Sequence, residues 1–130
     1  MKTLIKKYQV AKNQTARSMG SGDLEVLATP ALVAMMENCA KSLVADGLSV
    51  GQTTVGFKLD LKHLAPSAIG AEIKVEAELT DVDGQKLSFS IKAYDQATLI
   101  GNASHHRVIV ETADFLEKLQ QQHNMCPFTQ

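Results

Sequence analysis

"LATPALVAMMENCAKSLVADG", Leu27 to Gly47, reads as a helix with legible ends and one residue out of character. Thr29 is a good N-cap type, and Pro30 then falls at the first helical position, where its missing N–H costs nothing. Gly47 is a natural terminator, and Lys41 complements the dipole toward the C-terminal end. Between those ends Ala31 to Met36, Cys39 and Ala40 cover nearly every direction, the pattern of a helix buried on most sides. In the middle stands Glu37. Either it lies on a narrow solvated stripe, paired with Lys41 at i,i+4, or it is placed for chemistry. Periodicity alone leaves both open.

After the helix the period changes to two. In "TTVGFKLDLKHLAP" (Thr53 to Pro66) Val55, Phe57, Leu59 and Leu61 alternate with polar residues, which predicts a strand with one buried face. "AEIKVEAELTDVDG" (Ala71 to Gly84) is cleaner, with Ile73, Val75 and Ala77 inward and Glu72, Lys74 and Glu76 outward. Asp83-Gly84 marks a hairpin, and the next run places Leu87, Phe89, Ile91 and Ala93 on one face. A polar turn from Asp95 to Thr98 leads into a last strand, Leu99 to Val110. Leu4 to Lys12 is a first strand, Thr15 to Met19 a short helical turn, and Gly20-Ser21-Gly22 a loop. Thr112 caps a short C-terminal helix with Phe115, Leu116 and Leu119, followed by a frayed polar tail.

One long apolar helix and one antiparallel sheet have a natural solution: an α+β fold in which the sheet curls around the helix. A single domain is expected over residues 1–122, with 123–130 as a tail. The sheet edges and one helix flank would stay open in a lone copy, so a homodimer or a higher even homo-oligomer is expected.

The chain has 130 residues, 45% hydrophobic and 21% charged, with a formal net charge of −1. That balance offers no basic footprint for nucleic acid. No apolar run is long enough to span a membrane, and the lysines within "MKTLIKKYQV" argue against a signal peptide. Two cysteines, Cys39 and Cys126, make no disulfide framework, which suits a reducing cytoplasm.

His63 is the second residue out of character. It shares the parity of Leu59 and Leu61 and stands at a strand end before Pro66, so regular continuation turns it inward. A core histidine bonded to a carbonyl, or a solvated one beyond a bulge, would look the same. In "SHHR" (Ser104 to Arg107) the adjacent histidines point to opposite faces and cannot ligate one metal together. Arg107 would meet a phosphate or, preferably, a carboxylate on the neighbouring strand. There is no G-x-S-x-G elbow, dinucleotide fingerprint or P-loop, and a mid-helix Cys39 is no activated thiolate.

"MGSGDLEVLATPALVAMMENCA", "TTVGFKLDLKHLAP", "DVDGQKLSFSIKAYD" and "IGNASHHRVIV" together resemble the thioesterases related to fluoroacetyl-CoA thioesterase, a branch of the hotdog superfamily. The resemblance runs from about Thr15 to Phe115. It implies hydrolysis of an acyl-CoA, with coenzyme A entering as part of the substrate and no separate cofactor or metal. It also implies an active site of Thr29, Glu37 and His63, with Gly56 positioning the acyl group. His105 and Arg107 match the family's last-strand G-T-H-E-R and are carried over as substrate-binding, whereas Ala103 and His106 depart from it. No aromatic residue occurs from Met19 to Leu27, where relatives specialised for fluoroacetyl-CoA gate the pocket, so a small or medium acyl group is expected. A glutamate buried among apolar side chains would exchange protons near neutral pH. The rival from another class is a non-catalytic acyl-CoA or acyl-carrier sensing module. A hydratase on the same fold finds no suitably spaced Asp and His.

Overall fold

The computed structural model describes residues 2–124. Strand β1 (Thr3–Gln9) leads through a 3-10 turn to a short helix α1 (Ala16–Met19) and the long helix α2 (Thr29–Val44). Four strands follow: β2 (Gln52–His63), β3 (Glu72–Asp83), β4 (Lys86–Asp95) and β5 (Thr98–Glu111); helix α3 (Thr112–Asn124) closes the series. The strands form one antiparallel sheet in the order β1-β3-β4-β5-β2, wrapped around α2. The expected α+β arrangement is the observed one.

The core lies between α2 and the concave face. Leu32, Met36, Cys39 and Ala40 of the helix meet Ile73, Val75, Phe89 and Ile91 of the sheet, all at or near zero exposure. Each large apolar side chain so buried contributes about 1.5–3 kcal/mol. Helix and sheet pack closely at Gly101, where an added Cβ would stand 3.0 Å from Leu32 Cδ2 and 3.1 Å from Met36 Cε. The β3–β4 hairpin turns at Gly84, whose φ of +60° suits the first position of a two-residue loop.

Four readings are corrected. Helix α2 begins a residue early: the Ala28 carbonyl accepts the first helical bond, from Leu32 N–H at 3.0 Å, so Thr29 is the first helical residue and caps nothing. Gly47 ends a 3-10 turn instead of adopting the left-handed terminator conformation, which it does not need because Val44 already closes the helix. Helix α3 runs through Asn124, past the expected boundary at 122, while 125–130 of the expected tail, Cys126 included, lie outside the described residues. Its Phe115, Leu116 and Leu119 are all exposed.

The fourth concerns β2. Its register against β5 slips between Gly56 and Lys58, so Phe57 is a bulged extra residue. Phe57 lies 55% exposed, stacked at 6.0 Å on His106 of the outer face. Before the bulge, Thr54 and Gly56 face the helix; after it, Leu59, Leu61 and His63 do. Val55 and Phe57 therefore do not share the inner face with Leu59 and Leu61. Strand β2 is also an outer strand of the sheet, paired on one side alone. No helix of the described residues is long and apolar enough to cross a membrane.

Candidate active site

The singled-out residues gather in two places. At the start of α2 the Thr29 hydroxyl and His63 Nδ1 lie 2.8 Å apart. Because Thr29 is spared from capping, its oxygen is available for this bond. His63 reaches it from the last residue of β2, where the chain leaves the sheet toward Pro66. Burial pushes the His63 ring below its ordinary pKa, with the Ala65 backbone opposing. Its Nε2 is buried without a hydrogen-bond partner among the described residues, a nitrogen left for water or substrate. The pair opens on a cleft of about 360 Å³ lined by Ala16, Ser21, Val26, Leu27 and Leu64 to Pro66.

The second cluster sits two helical turns further along α2. The Glu37 carboxylate faces Arg107 Nη1 at 3.6 Å and His105 Nε2 at 4.0 Å. This corrects two expectations. The side chain is 39% exposed and its neighbours are polar, so Glu37 is not sealed among apolar groups. The carboxylate met by Arg107 is on the helix, not on a neighbouring strand. On the solvated-stripe alternative the helix is intermediate: Pro30, Ala34 and Lys41 are exposed along this flank, yet Glu37 turns to the arginine.

Arg107 and His105 are themselves 6% and 1% exposed. Arg107 Nε–H donates to Thr54 Oγ1 at 2.8 Å and Nη2–H to the Thr54 carbonyl at 2.9 Å. His105 Nδ1 lies 2.8 Å from the Lys58 carbonyl, which only accepts, so Nδ1 carries the proton. Nε2 is then an acceptor for Arg107 Nη1–H at 3.2 Å. Burial pushes His105 down, the Lys58 carbonyl opposes that, and Arg107 adds to the depression. Burial likewise lowers Arg107, with Glu37 opposing; an arginine stays charged regardless. Gly56 makes the room. A Cβ there would meet Glu37 Oε2 at 2.5 Å and His105 Cε1 at 2.9 Å.

The structure brings Thr29 to His63, and Glu37 to Gly56, His105 and Arg107, but it does not bring the two groups together within one chain. Thr29 and Glu37 are eight residues apart, a rise of about 12 Å. On the sheet, His63 pairs with Gly101 whereas His105 pairs with Leu59, about 13 Å along the strand. His106 turns outward, its Nδ1 3.0 Å from Ser88 Oγ. Among the described residues no group of His, Cys, Asp or Glu is placed to hold a metal ion.

The family model described as fluoroacetyl-CoA-specific thioesterase, FlK, matches residues 10–113. The chain belongs to this FlK family. It is 32% identical over 97 residues to the fluoroacetyl-CoA thioesterase of Streptantibioticus cattleyicolor, covering 75% of this chain and 70% of that protein. A crystal structure of an FlK variant in complex with fluoroacetate and CoA superposes with a TM-score of 0.87 at 27% identity, covering 92% of this chain and 98% of that one. A thioesterase superfamily member from Thermus thermophilus matches at a TM-score of 0.86 and 22% identity, over 94% of this chain and 90% of that one. That last likeness speaks for the shared hotdog fold. Within the FlK family frame, the contribution of Thr54 and of the Lys58 carbonyl was missed in the sequence. Thr54 carried the outward parity of a strand read as regular, and only the bulge turns it inward.

Proposed function

We propose that this protein hydrolyses a small or medium acyl-CoA thioester to the free acid and CoA. The observation that carries the reading is the Thr29–His63 hydrogen bond at the lip of the cleft, in a chain of this family. The cleft is lined mainly by small and aliphatic side chains, which suits an aliphatic acyl group. The reaction is acid–base chemistry. Water adds to the thioester carbonyl as its proton passes to a base, and collapse of the tetrahedral intermediate expels the CoA thiolate, which takes up a proton. His63 is the proton carrier, since its depressed pKa keeps the ring neutral and free to accept a proton near pH 7. Thr29 fixes the ring, and the free N–H groups of the first turn of α2 favour the developing oxyanion. Glu37 activates the water. Coenzyme A arrives with the substrate, and no separate cofactor is required. The setting is the cytoplasm, consistent with two cysteines outside any disulfide framework.

The distance between the clusters supports a homodimer with shared sites. Antiparallel pairing of two β2 edges about their middle sets His63 beside the segment of the other copy that carries Thr54. Thr29 and His63 of one protomer then face Glu37 of the partner subunit. The proposal is tested by Glu37→Gln and His63→Ala, each expected to lower thiol release from acetyl-CoA or butyryl-CoA at least about 10²-fold. Co-expressed, the two inactive chains form mixed dimers holding one intact site, and recovery to about a quarter of wild-type activity is expected from random pairing. Absence of recovery places each site within a single chain. A fully active Glu37→Gln rules out the role of Glu37, and thermal stabilisation by acyl-CoA without thiol release favours the sensing module instead.

A further inference from the structure

The second cluster holds a buried cation whose partners do not account for it as simple core stabilisation. Taking a guanidinium out of water costs several kcal/mol unless its donors and its charge are met. Arg107 spends two of its donors on one residue, the fork Nε–H to Thr54 Oγ1 and Nη2–H to the Thr54 carbonyl. A two-point bond of this kind fixes the plane of the guanidinium as well as its position. The remaining arm, Nη1, is thereby aimed along the line of Glu37 Oε2 and His105 Nε2. His105 is locked in turn by the Lys58 carbonyl, which the Phe57 bulge brings into place. The floor beneath the carboxylate is the bare backbone of Gly56.

We propose that Thr54 is a positioning residue for the reaction: acting through the forked guanidinium of Arg107, it holds the Glu37 carboxylate in its working orientation above Gly56. Among the described residues Thr54 makes no hydrogen bond to Glu37 and does not line the cleft, and its side-chain bond is to Arg107. The inference rests on the proposed role of Glu37 and adds the support on which that role depends. It separates the two parts of threonine chemically, because the hydroxyl can be removed by substitution whereas the carbonyl cannot.

The test compares Thr54→Val, of nearly the same shape without the acceptor, with Thr54→Ser, which keeps it. Both are assayed by thiol release from butyryl-CoA well below their melting temperatures. Thr54→Val is expected to lower kcat about tenfold or more with KM within about twofold, the pattern of a misplaced catalytic group. Thr54→Ser is expected to stay within about threefold of wild type, since its hydroxyl still accepts from Nε–H. If Thr54→Val gives no folded protein, Arg107→Lys decides: it keeps the charge but cannot form the fork, and the same kcat loss is expected. A folded Thr54→Val or Arg107→Lys enzyme with kcat within twofold of wild type overturns the proposal. Glu37→Gln measured alongside separates the two levels. If it is inactive while Thr54→Val is fully active, the positioning role alone falls; if it is fully active, both fall.

Discussion

At the start of α2 a threonine and a histidine share one hydrogen bond at the mouth of a cleft. Two turns further on, a glutamate faces an arginine and a histidine that make four hydrogen bonds between them, three of them to β2 backbone or to Thr54. The first pair is loosely held, with Thr29 exposed and His63 half-buried. The second is rigid up to the carboxylate, with Arg107 and His105 almost wholly buried. The difference is one of task. A group that exchanges protons with an arriving substrate needs an unpartnered nitrogen, and His63 Nε2 is one. A carboxylate that must hold one orientation needs a scaffold around it.

The largest effect expected from this contrast is at His63. His63→Ala is expected to reduce kcat at least about 10²-fold, while its melting temperature moves little, because a half-exposed side chain with one partner contributes little to stability. A loss of activity matched by a large fall in melting temperature would instead make His63 a structural residue like those of the second cluster. Next comes Gly56→Ala. The new methyl must displace Glu37 Oε2 from a 2.5 Å approach, and crowding of this kind costs about 1–3 kcal/mol. Both kcat and melting temperature are expected to fall, kcat about tenfold or more since the carboxylate is the atom displaced. Unchanged kinetics would show that the cradle tolerates motion and that the contrast in rigidity carries no function.

The smallest effect is on stability against pH. Burial holds His63 and His105 below the ordinary histidine value of about 6.5, so the unfolded chain binds more protons than the folded one beneath that value. Melting temperature is expected to be level above about pH 7, where both states are neutral at these rings, and to decline as pH falls from about 6.5 through the depressed values. The decline should be shallower in His105→Gln, and its survival undiminished would remove His105 from the account.

Much of this was legible in the amino-acid order. Strands β3 from Glu72 to Leu79 and β4 from Lys86 to Ala93 alternate in burial, and α2 is apolar on the faces that the sheet covers, so period and burial agree there. Thr29, Glu37, His63, Gly56, His105 and Arg107 stand out in the sequence, and every one lies in one of the two clusters. What was hidden has a common cause. A bulge leaves no periodic trace, so Thr54 and Gly56 carried the wrong face. The first bond of α2 goes to the Ala28 carbonyl, a matter of backbone geometry that no residue type at position 29 announces. The polar surroundings of Glu37 come from β5, some seventy residues away, and a helix read by itself has no access to them.

The extra residue at Phe57 has a consequence for how this chain tolerates length changes. Strand β2 is read in two phases, even-numbered positions inward before the insertion and odd-numbered positions inward after it. Removing Phe57 itself would close the bulge and leave Thr54, Gly56, Leu59, Leu61 and His63 all inward. Losing the bulge with the residue kept would carry Lys58, Asp60 and Lys62 into the space now held by Leu59, Leu61 and His63, or else turn Thr54 and Gly56 out from beneath the arginine. The two clusters thus survive loss of the extra residue but not loss of the bulge around it. A change of length between residues 54 and 63 is therefore tolerated only where it keeps the inward phase of both halves of β2.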